Sequence, residues 1–145
     1  VELTIFPDDE IDNFKIDADY FYKDEIIAVT IIYNPEKKIN LLYDIVGELN
    51  EIIAHEIRHV DQHSLNMFNI DNQNNMTPED PKTYYTQPHE IDAQVYGFKR
   101  LSKLRNQPFE KTVRQWFDTH QIIHKMNKND TEFVIGKILD YFRKN

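Results

Sequence analysis

The sequence predicts an α+β fold on three observations. Runs rich in β-branched and aromatic residues fall early in the chain, and helical periodicity occupies the rest. A hydrophobic share of 40%, with 12% aromatic residues, is enough in 145 positions to bury one core. A single domain over residues 1–145 is therefore expected, with no internal repeat and no low-complexity tract.

From Val1 to Phe6, Leu3 and Ile5 alternate with Glu2 and Thr4, which suggests a short strand closed by Pro7-Asp8-Asp9. The acidic stretch from Asp8 to Asp12 reads as solvated surface. Ala18 to Tyr22 and Ile26 to Tyr33 read as strands joined by the polar turn Lys23-Asp24-Glu25, and Asn34-Pro35-Glu36-Lys37 ends the second. The expected sheet is small, and antiparallel or mixed.

A long helix then spans about Asn40 to Met67. Leu42, Val46, Leu49, Ile53, Ile57 and Val60 fall on one stripe, expected to face the core. His55, Glu56, His59 and His63 cluster beside that stripe, while Gly47, Asn50, Glu51, Arg58 and Gln62 take the remaining arc. Asn69 to Pro81 is polar and reads as a mobile loop, a kind of segment that often forms a lid or binding loop.

After Tyr84-Tyr85-Thr86-Gln87, Pro88 opens a second helix. Ile91, Val95 and Phe98 form one stripe of it, and Glu90, Ala93, Gly97 and Leu101 form another. Helices follow at about Phe109 to Lys125, with Val113, Trp116, Phe117 and Ile123 inward, and at Thr131 to Arg143, with Phe133, Val134, Ile138, Leu139 and Phe142 inward. Asn127-Lys128-Asn129-Asp130 separates them, and Asp130 or Thr131 is the expected cap of the last.

The formal net charge of −8 and the lack of any basic run argue against nucleic-acid binding, which draws on clustered Lys and Arg. With no cysteine, any metal must be held by His and carboxylate. That absence fits a cytoplasmic protein without excluding secretion. No apolar run reaches the length of a membrane span or a signal-peptide core, so no membrane partner is expected. The chain begins at Val1 rather than methionine, which leaves room for a leader or an upstream segment.

The chemistry centres on His55-Glu56-Ile57-Arg58-His59. Two histidines four apart on a helix share a face and can converge on one cation, and neutral imidazole suits Zn²⁺. With six histidines and eleven glutamates in the chain, this H-E-x-x-H pattern arises by accident about two times in a hundred. The plain alternative is a helix with surface histidines.

A third ligand must come from downstream. His63 lies eight residues from His55, a rise of roughly 12 Å, too far for three side chains to chelate one ion. Gln62 and Leu65 stand where the longer H-E-x-x-H-x-x-G-x-x-H pattern needs Gly and His, so the metzincin reading fails. Glu90 and Asp92 remain. Glu90 is the better choice, because it shares its face with Ala93 and Gly97, where the first helix can approach closely. Its plain alternative is a first-turn glutamate favoured by the helix dipole. Asp92 is expected to pair with an arginine or with a ligand histidine, or simply to be solvated.

The residues His55-Glu56-Ile57-Arg58-His59-Val60-Asp61-Gln62, Tyr85, and Pro88-His89-Glu90-Ile91-Asp92-Ala93 resemble the signature of gluzincin-type HEXXH zinc metallopeptidases. The nearest likeness is to small phage and bacterial metallopeptidases with H-E-x-x-H-x-x-Q and P-x-E-x-D-A; a more distant one is to ImmA/IrrE-type proteins. The resemblance covers about Asn50 to Phe98. It implies a minimal zincin-like domain with an edge strand lining the cleft, His55, His59 and Glu90 as zinc ligands, and Glu56 as general base.

The expected activity is zinc-dependent hydrolysis of a protein or peptide, by an endopeptidase rather than an exopeptidase. Glu56 would take a proton from water and hand it to the leaving amine. Tyr84 or Tyr85 is the candidate donor to the developing oxyanion, and both also suit a role as ordinary interface aromatics. Strand Ile26 to Tyr33 is a candidate for pairing with an extended substrate. The rival from another class is a non-catalytic zinc-binding interaction or regulatory module of phage or mobile-element type. A third reading, a helical regulator or virion-assembly protein with chance histidines, predicts no metal.

Overall fold

The computed structural model describes residues 1–36, 42–68, 80–120 and 125–145, and of 42–44 the backbone alone. Strands β1 (Glu2–Pro7), β2 (Phe14–Phe21) and β3 (Ile26–Tyr33) precede helices α1 (Leu42–Ser64), α2 (Pro81–Tyr85), α3 (Pro88–Arg105), α4 (Phe109–Thr119) and α5 (Lys128–Lys144). The α+β class follows directly.

The sheet is mixed, in the order β1-β3-β2. β1 runs parallel to β3 with Glu2 opposite Ala28, and β2 runs antiparallel to β3 with Phe14 opposite Tyr33 and Phe21 opposite Ile26. β3 is thus the central strand, paired on both edges, and cannot receive a substrate strand as its sequence suggests. β2 starts four residues before the expected Ala18, because its outward Lys15, Asp17 and Asp19 mask the alternation of Phe14, Ile16, Ala18 and Tyr20. Buried Asn34 ties down the preceding loop, donating from Nδ2 to the carbonyls of Asp9 (3.1 Å) and Ile11 (2.8 Å).

α3 is the central helix. On one side Val95, Phe98 and Leu101 join Phe109, Val113 and Phe117 of α4 and Val134, Ile138 and Leu139 of α5 in the main core. On the other side α3 packs along α1, where a Cβ on Gly97 would lie 2.9 Å from both the backbone oxygen and Oε1 of Glu51. Only a glycine admits that approach. Both stripes read on α3 are therefore buried, although Leu101, read with Glu90, Ala93 and Gly97, joins Val95 and Phe98 in the main core.

The stripe expected to face the core from α1 is a correction. Val46 is 38% exposed and Ile57 43%, whereas Gly47, Glu51, Ala54 and Gln62 are buried. Small and hydrogen-bonding residues line the tight seam with α3, and the larger apolar side chains are displaced towards solvent. The Leu42 side chain, the start near Asn40, the loop 69–79 and Ile123 lie outside the described residues.

Two helix starts also differ from expectation. Asn127, rather than Asp130 or Thr131, caps α5: its side chain accepts from the Asp130 N–H at 3.0 Å. Asp130 is then free to accept from Lys82 of α2 at 2.7 Å. The short helix α2 was not expected. Asp80 caps it, accepting from the Thr83 N–H at 2.9 Å, and Pro81 follows at the first helical position.

Candidate metal centre

His55 and His59, one turn apart on α1, point at the first turn of α3. Their Nε2 atoms are 3.0 Å apart, and Glu90 brings Oε2 to 3.4 Å from His55 Nε2 and Oε1 to 3.6 Å from His59 Nε2. The three donor atoms lie within 4.8 Å of one another. Two imidazole nitrogens at that separation can hold at most one proton between them, and a cation can replace it. Glu90 Oε2 is buried without a hydrogen-bond partner. Two imidazoles and a carboxylate whose Oε2 lacks a partner fit a zinc ion.

The tautomer of His59 follows from its neighbours. Gln62 donates from Nε2 to the His89 carbonyl at 2.9 Å and to Asp92 Oδ2 at 2.8 Å, so its Oε1 must be the atom 2.8 Å from His59 Nδ1. Nδ1 therefore carries the proton. Nε2 is left with a lone pair directed at His55 and Glu90.

Asp92 anchors this chain of contacts. It accepts from Arg58 Nε at 2.6 Å and Nη2 at 3.3 Å, and from the Tyr141 hydroxyl at 2.8 Å. Of the alternatives read from sequence the arginine pairing holds: Asp92 pairs with Arg58, whereas it touches no candidate ligand histidine itself, because Gln62 stands between it and His59. His63 stays away from the centre, its Nδ1 3.2 Å from the Tyr20 hydroxyl.

Burial alone would raise the pKa of Glu90, but the proton held between the nearby His55 and His59 imidazoles attracts the carboxylate, overturns that rise and holds the carboxyl well below its usual range. Glu56 moves the other way. Burial pushes it up to about 8, with Glu90 and Asp19 adding to the rise while His59 and the Tyr20 backbone N–H oppose it. A divalent cation nearby would pull that value back down. Glu56 Oε1 sits 3.9 Å from His55 Nε2, beside the three donors but not among them.

Tyr84 and Tyr85 come in from α2. Burial and then the charge of Glu90 push the Tyr84 phenol well up, so it holds its proton. Burial and then the charges of Glu90, Glu51 and Asp17 push Tyr85 up to about 12. Both phenols line a cavity of about 170 Å³ that opens beside His55 and Glu56.

The same cavity is lined by Glu51, whose carboxyl burial pushes up to about 7. Because the folded chain binds this proton more tightly than the unfolded one, stability falls as pH rises from about 4.5 to about 7. Glu51→Gln removes that loss. The variant is expected to be more stable than the parent at pH 8, by up to roughly 3 kcal/mol, with a smaller gap at pH 5. Thermal melts at the two pH values check this, and an equal gap at both would contradict it.

One residue carries no role in the sequence reading. His89 Nε2 lies 3.5 Å from Glu90 Oε1, its ring centroid is 6.0 Å from that of His59, and its buried Nδ1 has no hydrogen-bond partner. It falls outside the group of three mutually close donors. Its place directly before Glu90 in the second motif was the available signal.

Comparison of the chain with protein families, with curated proteins and with solved structures gives no match.

Proposed function

We propose that this chain is a zinc-dependent peptidase that binds an extended peptide along β2 and uses Glu56 as general base. The observation that supports this best is the placement of a buried carboxylate, Glu56, 3.9 Å from His55 Nε2 yet outside the three-donor group. A structural zinc site needs no base, and normally fills all four positions with protein ligands.

His55, His59 and Glu90 would hold the ion, which when bound supplies a Lewis acid that polarises a carbonyl and eases deprotonation of water. Glu56 takes the proton of the attacking water and returns it to the leaving amine. Tyr84 lies close enough to Glu90 to feel its charge and is suited to steadying that ligand. That leaves Tyr85 as the phenol better free to donate to the developing oxyanion.

The edge strand gives the substrate its track. The Tyr20 backbone N–H turns away from β3 towards Glu56, and alternate residues share an edge, so the main-chain groups of Ile16 and Ala18 face the cleft as well. An extended peptide can add there by strand pairing. Among the described residues no helix is long and apolar enough to cross a membrane.

A second reading is favoured by His89, whose Nε2 is 3.5 Å from Glu90 Oε1. If it closes a fourth position, the chain is a non-catalytic zinc-binding module. The functional experiment is cleavage of a mixed peptide library, compared between the parent and Glu56→Gln at equal zinc content.

A further inference from the structure

Next to the three-donor centre, the 170 Å³ cavity runs back between α1, α3 and α4 and is rich in acceptors. Asp17, Glu48, Glu51 and Glu56 all line it, and among the described residues no lysine or arginine does, although Lys15 at the rim pairs with Asp17 at 3.1 Å. His120 offsets part of that charge, its Nε2 3.6 Å from Glu48 Oε1. Glu51 is only 7% exposed and is seated over Gly97, where no larger residue would let its carboxylate fit. Independently, Gln94 on α3 lines the same cavity and is 4% exposed, and its Oε1 has no hydrogen-bond partner. A buried amide oxygen without a donor is costly unless something supplies one.

The remaining wall is apolar: Phe98, Trp116, Ile52 and the ring of Tyr85. An occupant that satisfies both walls must bring an aliphatic stem and end in a cationic group with several N–H donors. Among peptide side chains only lysine and arginine do so. The volume, close to that of engineered cavities of about 150 Å³ that admit benzene, suits one such side chain. We infer that this cavity is a specificity pocket for a basic substrate residue next to the scissile bond, with Glu51 and Gln94 receiving its cationic end. The inference rests on the peptidase reading for its place in a reaction, but not for the binding itself.

Trp116 lines the cavity and is the only tryptophan of the chain, so its fluorescence reports occupancy. Two blocked pentapeptides are titrated into zinc-loaded Glu56→Gln protein, identical except for lysine or norleucine at the centre, and a peptide library is given to the zinc-loaded parent. The lysine peptide is expected to bind at least about tenfold more tightly, since a hydrogen-bonded charge is involved. Glu51→Gln should reduce that ratio to about twofold, and Glu48→Gln should reduce it less; melting temperatures show that both variants are folded. In the library, cleavage should cluster beside lysine and arginine. Equal binding of the two peptides, binding of neither, or a ratio unchanged in Glu51→Gln would overturn the pocket. A lysine preference in binding with an uncut library would instead overturn the peptidase reading and leave the pocket standing. Cleavage with no basic preference would do the reverse.

Discussion

Replacing His55 or His59 with alanine is expected to take bound zinc from about one ion per chain to near none, measured on protein purified without chelator. Each imidazole supplies one of the three donors that, among the described residues, lie within 4.8 Å of one another, and the two that remain cannot hold the ion against water. Glu90→Ala should behave in the same way. His63→Ala should leave the stoichiometry unchanged, because that ring is engaged with the Tyr20 hydroxyl. Asp92→Ala separates two effects. It leaves all three ligands in place, so zinc still binds at saturation, but it frees Gln62 and His59 to turn and should weaken affinity by about 10- to 100-fold. It also takes one partner each from Gln62 and the Tyr141 hydroxyl, while Arg58 keeps Asp61 at 3.7 Å, at a cost on the order of 1–3 kcal/mol in stability. Full zinc occupancy in both histidine variants would place the centre elsewhere and remove the basis of the functional reading.

Glu56→Gln is expected to keep the zinc and lose the chemistry. The amide has the size of the carboxylate and can still accept from the Tyr20 N–H, so fold and metal content should match the parent. An amide cannot accept the proton of the attacking water at neutral pH, and hydrolysis should fall by about 10²-fold or more. Burying a neutral amide in place of a carboxyl already pushed up to about 8 should not lower the melting temperature. A variant that cleaves as fast as the parent would show that Glu56 is not the base, even with the zinc in place.

The three proposed ligands were legible because the geometry behind them is local. Four-residue spacing puts His55 and His59 on one face of α1, and the small residues Ala93 and Gly97 mark the side of α3 that α1 approaches. The buried face of α1 was not legible. Gln62 and Glu51 look like surface residues in sequence, and their burial depends on partners 30 and 46 positions away, on α3 at Asp92 and Gly97. A hydrophobic stripe marks a buried face only where the seam is apolar, and this seam is polar and closely packed. Segregated strands and helices gave the fold class, but no local pattern could show that β1 pairs parallel to β3, which puts β3 in the centre and makes β2 the edge strand beside α1. The capping of α2 by Asp80-Pro81 was readable in principle, but the polar stretch before it drew that segment into the loop.

The central claim is a centre with three protein ligands and one position open to substrate. Diffraction from zinc-loaded crystals at the zinc absorption edge tests it most directly. The account predicts a single anomalous peak about 2.0–2.2 Å from His55 Nε2, His59 Nε2 and a Glu90 carboxylate oxygen, with Glu56 and His89 both off the ion. A peak with His89 Nε2 as a fourth protein ligand, or one centred on His63, would contradict it.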